Sequence, residues 1–198
     1  MLAFGSLTGS TAYYNNTGVT AMYLGGSLVY GTAPSTGSTL SNVTDWTTSG
    51  GVTVTGNNLT PNVMFSDTRA GSNLKINVGG AGYFQANSTG GRIALVEYAG
   101  SSYLGTDNEM WHALFRDSGN GKLVSFSRPQ VYEDFGFIQA NSLIRLRTDG
   151  TTVYYEYQLP STSNWITVKT LPQNNFNLYI AAGLYAGGLI NIQQTGFS

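Results

Sequence analysis

The stretch Leu143–Leu171 reads LIRLRTDGTTVYYEYQLPSTSNWITVKTL, and its two-residue rhythm decides the fold. In a strand, successive side chains point to opposite faces. Ile144 and Leu146 therefore share one face, and Arg145 and Arg147 take the other. Asp149-Gly150 is a strong hairpin signal, because both residues accept the backbone angles that a tight turn requires. Beyond it Val153, Tyr155 and Tyr157 form an inward face, with Tyr154, Glu156 and Gln158 opposite. After the loop Pro160–Asn164, Trp165-Ile-Thr-Val-Lys alternates again and sets Ile166 and Val168 inward. The result is a three-stranded antiparallel meander with one face in a core and one in water.

The same pattern extends outward. Strands are expected near 52–55, 63–66, 74–78, 92–98, 111–116, 122–127, 143–148, 152–158, 165–170, 177–185 and 189–193. Turn clusters separate them: Gly56-Asn-Asn, Gly79-Gly80, Gly90-Gly91, Asp117-Ser-Gly-Asn-Gly121, Asp149-Gly150 and Gly187-Gly188. Gly, Thr, Ser and Asn fill about 43% of the 198 positions, a composition suited to turns and strands rather than helix. Ala, Glu and Lys are too few for a helical bundle or coiled coil. Many short strands with regular turn signals predict an all-β antiparallel β-sandwich, or jelly roll. Ahead of it, GTAPSTGSTLSN at 31–42 reads as a linker. Two apolar runs flank Gly25-Gly26 within 18–30 and read as a small hairpin. The expected organisation is an extended N-terminal arm over 1–42 and a jelly-roll domain over 43–198.

Charge narrows the function. Only 10% of residues are charged and the formal net charge is −1, so the basic footprint of a nucleic-acid binder is missing. The chain has no cysteine and a single histidine, His112, which removes thiolate chemistry and His-pair metal sites. No run approaches the 18 apolar residues of a membrane span, and the opening Met1-Leu-Ala-Phe lacks the basic start of a signal peptide. These features predict a protein made in a cytoplasm, with no membrane insertion and no cofactor.

Catalysis finds no motif. A retaining glycosidase needs two carboxylates about 5–5.5 Å apart, and the nearest acidic pair, Glu133-Asp134, is adjacent in sequence and followed by Phe135-Gly136, so its spacing is not that of the Glu-x-Asp-x-x-Glu signature. His112 in WHALF has no Gly-x-Ser-x-Gly elbow to partner it. It reads as a hydrogen-bonded strand residue that becomes a pH-sensitive contact only if exposed. For a hard cation the weak candidates are Asp107 and Glu109, with Asp117 better explained as hairpin chemistry. Trp46 and Trp111 are assigned to the core.

Two resemblances add to this. RLRTDGTTVYYEYQLPSTSNWITVKTLP at 145–172, DWTTSGGVTVTGNNLT at 45–60 and NLYIAAGLYAGGLINIQQTGF at 177–197 resemble the late, opening and closing strands of concanavalin A-like (laminin-G-like) jelly rolls. VTAMYLGGSLVYG at 19–31 is similar to a short element near the start of bacteriophage structural proteins. Together they imply a non-enzymatic virion surface protein, assembled in the host cytoplasm, that decorates or cements a capsid. The alternative is a receptor-binding fibre tip or a glycan-binding, lectin-like module. On the first reading, Val19, Met22, Tyr23, Leu28, Val29 and Tyr30 carry the arm's contacts to other virion proteins or to further copies of the chain. Arg, which outnumbers Lys, and the many tyrosines suit an interface. On the second reading, Arg145, Arg147, Tyr154 and Trp165 form the face toward a host-surface glycan or other partner.

Overall fold

β-Branched and aromatic residues in short alternating runs, cut by glycine pairs, favour strands. The computed structural model is built of strands, with no helix among the described residues. Those residues are 40–63, 68–98, 110–129, 131–184 and 187–198, together with the backbone of four short strands: β1 (Ala12–Tyr14), β2 (Thr17–Val19), β3 (Ala21–Leu24) and β4 (Ser27–Gly31). The chain divides into two compact units, 1–38 and 39–198. In the first, β1 pairs with β2, and β3 pairs with β4 on either side of Gly25-Gly26, both antiparallel. The expected arm residues Val19, Met22, Tyr23, Leu28, Val29 and Tyr30 lie on these strands, and their side chains fall outside the described set.

The second unit begins with β5 (Ser41–Asn42), β6 (Trp46–Ser49), β7 (Val52–Thr55), β8 (Asn58–Pro61) and β9 (Arg69–Ile76). It continues through β10 (Ala81–Ser88), β11 (Arg92–Val96), β12 (Met110–Arg116), β13 (Lys122–Ser127) and β14 (Val131–Phe137). β15 (Leu143–Asp149), β16 (Thr152–Gln158), β17 (Ile166–Pro172), β18 (Leu178–Gly183) and β19 (Leu189–Thr195) complete it. An eight-stranded sheet runs β17-β16-β15-β10-β19-β8-β7, with β5 also on β19, and a seven-stranded sheet runs β14-β13-β12-β11-β18-β9-β6. The chain crosses between them, from β9 in one sheet to β10 in the other and back to β11. Their inner faces meet in one core that includes Phe84, Ile144, Leu146, Val153 and Tyr155 from the first sheet and Ile93, Leu95, Leu114 and Ile180 from the second. This is the antiparallel sandwich expected from the alternation.

The meander over 143–172 forms as read, with one shift. β15 and β16 pair from Leu143↔Gln158 to Thr148↔Val153. Asp149 Oδ1 accepts the N–H groups of Thr151 and Thr152, both at 2.9 Å, and so fixes the turn. Gly150 is obligatory there: its φ is +98°, and a Cβ would stand 2.4 Å from the Gly79 carbonyl oxygen.

Several expectations differ from the structure. The strand expected at 63–66 falls on residues of which 64–66 lie outside the described set. The strand expected at 74–78 is the end of β9, which begins at Arg69. β5, β6, β8, β10 and β14 went unread. AGYFQANS alternates plainly, but it sits between Gly79-Gly80 and Gly90-Gly91, and the glycines masked it. VYEDFGF is interrupted by two acids and a glycine.

Candidate functional site

The outward side chains of the meander do not simply face water. Arg145 lies opposite Glu156, and Arg147 opposite Tyr154. Arg145 donates from Nε to Glu156 Oε2 at 2.7 Å, and its Nη2 lies at 2.7 Å from the same oxygen. Arg147 donates from Nη2 to Glu156 Oε1 at 3.1 Å. Thr167 Oγ1 adds a donor to Oε1 at 3.2 Å. Glu156, expected on the wet face, is only 3% exposed, because two guanidiniums and a threonine cover it. A carboxylate is tolerated there because its lone pairs are taken up by charged donors. Burial lowers the Arg145 pKa from its ordinary value, and Glu156 pulls the other way.

Each guanidinium also stacks on a ring. Arg145 sits 3.7 Å from the Trp165 centroid and 4.9 Å from that of Tyr83, and Arg147 sits 3.7 Å from that of Tyr154. A planar cation over an aromatic face is attracted by the ring quadrupole and holds both groups in place. The Tyr154 hydroxyl donates to Asp149 Oδ2 at 2.7 Å. Burial pushes the Asp149 carboxyl upward, but hydrogen bonds from Tyr154, Thr151 and Thr152 outweigh it and bring the pKa down to about 2. The same bond to Asp149 raises the Tyr154 phenol. All four sequence-predicted residues, Arg145, Arg147, Tyr154 and Trp165, thus come together, half-buried, around a glutamate that the sequence reading left out of the site.

Trp165 reaches Arg145 through an irregularity. Tyr155 pairs with Lys169 but Glu156 pairs with Thr167, so Val168 is an extra residue on β17. Strict alternation predicted Ile166 and Val168 inward. Val168 does pack on the core, but Ile166 is 40% exposed at the sheet edge. Lys169 takes the inward position instead. Its Nζ donates to Ser127 Oγ at 2.9 Å and pairs with Glu133 at 2.8 Å, both on the other sheet.

The face continues onto strands β10 and β19. Tyr83 and Gln85 lie opposite Arg147 and Arg145 on one side, and opposite Thr195 and Gln193 on the other. Gln85 Nε2 donates to Gln193 Oε1 at 3.3 Å. Beyond them, Asn191 Nδ2 donates to Asn87 Oδ1 at 3.3 Å, and Asn87 Nδ2 to the Asn141 carbonyl at 2.8 Å. Asn191 and Asn141 have φ of +55° and +63°, the described non-glycine residues with positive φ. Tyr83-Phe84-Gln85-Ala86-Asn87 carries the period-two signal that would have found this half.

The remaining candidates fall elsewhere. His112 is 3% exposed, so it is no surface pH contact. Its Nδ1 accepts from the Tyr155 hydroxyl at 2.8 Å, and its Nε2 donates to Asn174 Oδ1 at 2.6 Å, which fixes the neutral tautomer. Burial pulls its pKa down to about 4, and also pushes the Tyr155 phenol far above its ordinary value. Trp46 packs on the core as expected. Trp111 does not: a bulge opposite Leu95 and Val96 turns it out of the core, between Phe176 and Arg128, each at 4.8 Å. Asp117 accepts from Gly119 N–H within its hairpin turn. Glu133 and Asp134 pair with Lys169 and Lys122 respectively. Asp107 and Glu109 lie outside the described residues, among which no cluster of three metal-ligating acids or histidines occurs.

No protein-family model and no curated protein match this chain. Solved structures do match it. The exoplasmic/lumenal domain of VIP36 in its calcium- and mannose-bound form aligns with TM-score 0.56 at 10% identity, over 78% of this chain and 84% of that one. Its metal-free form gives 0.54 at 8% identity over 76% and 84%, and its calcium- and Man3GlcNAc-bound form 0.53 at 10% over 77% and 83%. The fold is a lectin-like jelly roll of the concanavalin A type. The bacteriophage part of the expectation has no counterpart in these neighbours.

Proposed function

We propose that the chain is a non-catalytic, lectin-like module that binds a glycan on the outer face of its eight-stranded sheet. One observation carries the reading: two guanidiniums clamped on a buried glutamate and stacked against Trp165, Tyr83 and Tyr154. A sugar ring offers an apolar face and a rim of hydroxyls, and this surface offers aromatic planes beside donors that are already oriented. Rigid donors lose little freedom on binding, so their hydrogen bonds add more to affinity. Glu156 is held between two arginines, an environment that suits a structural anchor rather than the acid or nucleophile of a glycosidase pair. VIP36, one of whose structures is described as calcium- and mannose-bound, has a similar fold. That supports the reading only by analogy, because fold alone does not fix function.

The test is a glycan-array screen of the full chain beside Trp165→Ala and Arg147→Ala. Binding that falls at least tenfold in both variants, with their far-ultraviolet circular dichroism unchanged, is the expected result. Absence of binding to any glycan, or binding indifferent to both substitutions, refutes the proposal.

A second reading is a virion-surface component whose first 42 residues act as an assembly arm. It rests on the element at 19–31 and on a front segment, residues 1–44, with no Asp, Glu, Lys, Arg or His. Two-stranded ribbons such as β1-β2 and β3-β4 are marginal alone. On this reading they add to a sheet of another copy or of a neighbouring virion protein. The two readings are compatible in a receptor-binding tip, where the arm attaches and the sandwich binds.

A further inference from the structure

We infer that the ligand of this face is an uncharged oligosaccharide of several rings, lying across the strands from an aromatic subsite at Trp165 to an amide subsite at Asn87 and Asn191; the inference rests on the glycan-binding reading above. Three observations carry it.

The first is extent. The outward residues run without interruption from Thr167 on β17 through Glu156, Arg145 and Gln85 to Gln193 on β19, one strand after the next. Four interstrand steps of about 4.8 Å make a strip about 19 Å long, more than one sugar ring covers.

The second is chemistry along the strip. Rings and guanidiniums occupy it from β17 to Tyr83 on β10, whereas beyond Tyr83 the β10–β19 part presents amides: Gln85, Gln193, Asn87 and Asn191. An amide presents donor and acceptor together and so matches a hydroxyl either way round. At that end β19 is bulged. Gln85 pairs with Gln193 but Asn87 pairs with Ile190, and Asn191 supplies the extra residue in a left-handed conformation. Bulges of this kind re-aim side chains, and here the bulge directs the Asn191 amide onto Asn87.

The third is charge. The two arginines are matched by Glu156 and, through the Arg147–Tyr154–Asp149 chain, by a second carboxylate. The strip therefore carries no net charge for an acidic sugar to neutralise. Of the two, Arg147 keeps the larger part of its side chain open beside the rings, 31% exposed against 12% for Arg145.

Isothermal titration with two ladders of one to six sugars tests this. The neutral ladder uses mannan, chitin, galactan and maltose fragments, and the acidic ladder uses polygalacturonate and heparin fragments. The neutral ladder should gain at least tenfold in affinity between one and four sugars. Asn87→Ala and Asn191→Gly, the latter keeping the backbone conformation because glycine accepts positive φ, should abolish that gain. Trp165→Ala should weaken every length. Affinity independent of length, or a gain that survives both asparagine variants, overturns the extended site. An acidic ladder that binds tenfold more tightly than the neutral one at equal length overturns the uncharged ligand. Silence from both ladders defeats the glycan reading itself, and this inference with it.

Discussion

Acidification should weaken the sandwich by an amount that His112 determines, and replacing that one residue should remove the effect. In the fold the imidazole lies between Tyr155 on one sheet and Asn174 beyond β17, with Lys169 close enough to disfavour a further positive charge. Its pKa falls from 6.5 in the unfolded chain to about 4, mainly through burial. Above pH 6.5 both states are neutral and the full stability is present. Between 6.5 and 4 the unfolded chain takes up a proton that the folded chain refuses, so stability drops as the pH falls. By pH 4.5 the difference is about 2 pK units, or about 2.5 kcal/mol at 1.36 kcal/mol per unit. Urea titrations at pH 7.5, 6.5, 5.5 and 4.5 on the wild type and His112→Gln measure it directly. At pH 7.5 the variant should be less stable by about 1–3 kcal/mol, the effect of disturbing two buried hydrogen bonds. That gap should close by about 2.5 kcal/mol at pH 4.5, because glutamine does not titrate. Carboxylates such as Asp149 titrate alike in both proteins and cancel. A gap that stays constant over this range would refute a buried neutral imidazole.

Glu156→Gln should leave Arg145 and Arg147 without the carboxylate that both of them contact. The expected loss is about 3–5 kcal/mol by urea unfolding, and a loss below about 1 kcal/mol would mean the clamp contributes little. Gly150→Ala must relieve both a positive φ and a 2.4 Å approach to the Gly79 carbonyl, and should lower stability by about 2 kcal/mol or more. A neutral result there would show that the turn can rearrange. Removing residues 1–38 should leave a folded sandwich with a melting temperature within a few degrees of the full chain, since the two units are separately compact. Unfolding of the truncated chain would argue against that. On the virion reading, the same truncated protein should lose its ability to assemble.

The legible part of this structure was the part governed by alternation. Leu143–Tyr157 reads correctly because the apolar residues on β15 and β16 keep strict period two, and each strand has only one register that buries them. Where an extra residue enters, the reading fails: beyond Val168 the faces of β17 are reversed, so Lys169 turns in, while Ile166 keeps the inward side opposite Tyr157 but lies at the exposed sheet edge. A bulge leaves no mark in composition, and a lysine pointing inward contradicts every hydrophobicity rule until its partners on the other sheet are known. The same limit hid half of the candidate site. Arg145, Arg147, Tyr154 and Trp165 were visible as outward residues of one meander, but Tyr83, Gln85 and Asn87 are sixty residues away, on a strand whose flanking glycines look like turns. Glu156 was seen as outward yet not as central, because sequence shows which face a residue takes and not how many cations converge on it.

The bulge at Val168 also explains how the two faces of β16 can both be polar. Tyr155 and Glu156 are neighbours pointing in opposite directions, one to His112 in the core and one to the arginine pair outside. A regular β17 could not serve both, since it would bring an apolar side chain against the Tyr155 ring and turn Lys169 outward. The extra residue lets Thr167 reach Glu156 while Lys169, opposite Tyr155, extends to Glu133 and Ser127. Those partners lie on β14 and β13, so the ion pair links the edge strands of the two sheets along one open side of the sandwich. An inward charge and a bulge are both devices that blunt an edge strand against pairing with another chain. With that edge protected, the ordered polar side chains of β15, β16, β10 and β19 form a broad face whose aromatic planes, guanidiniums and amides have no comparable task in holding the sheets together. That separation of tasks is the strongest physical reason to place recognition there rather than at the edge.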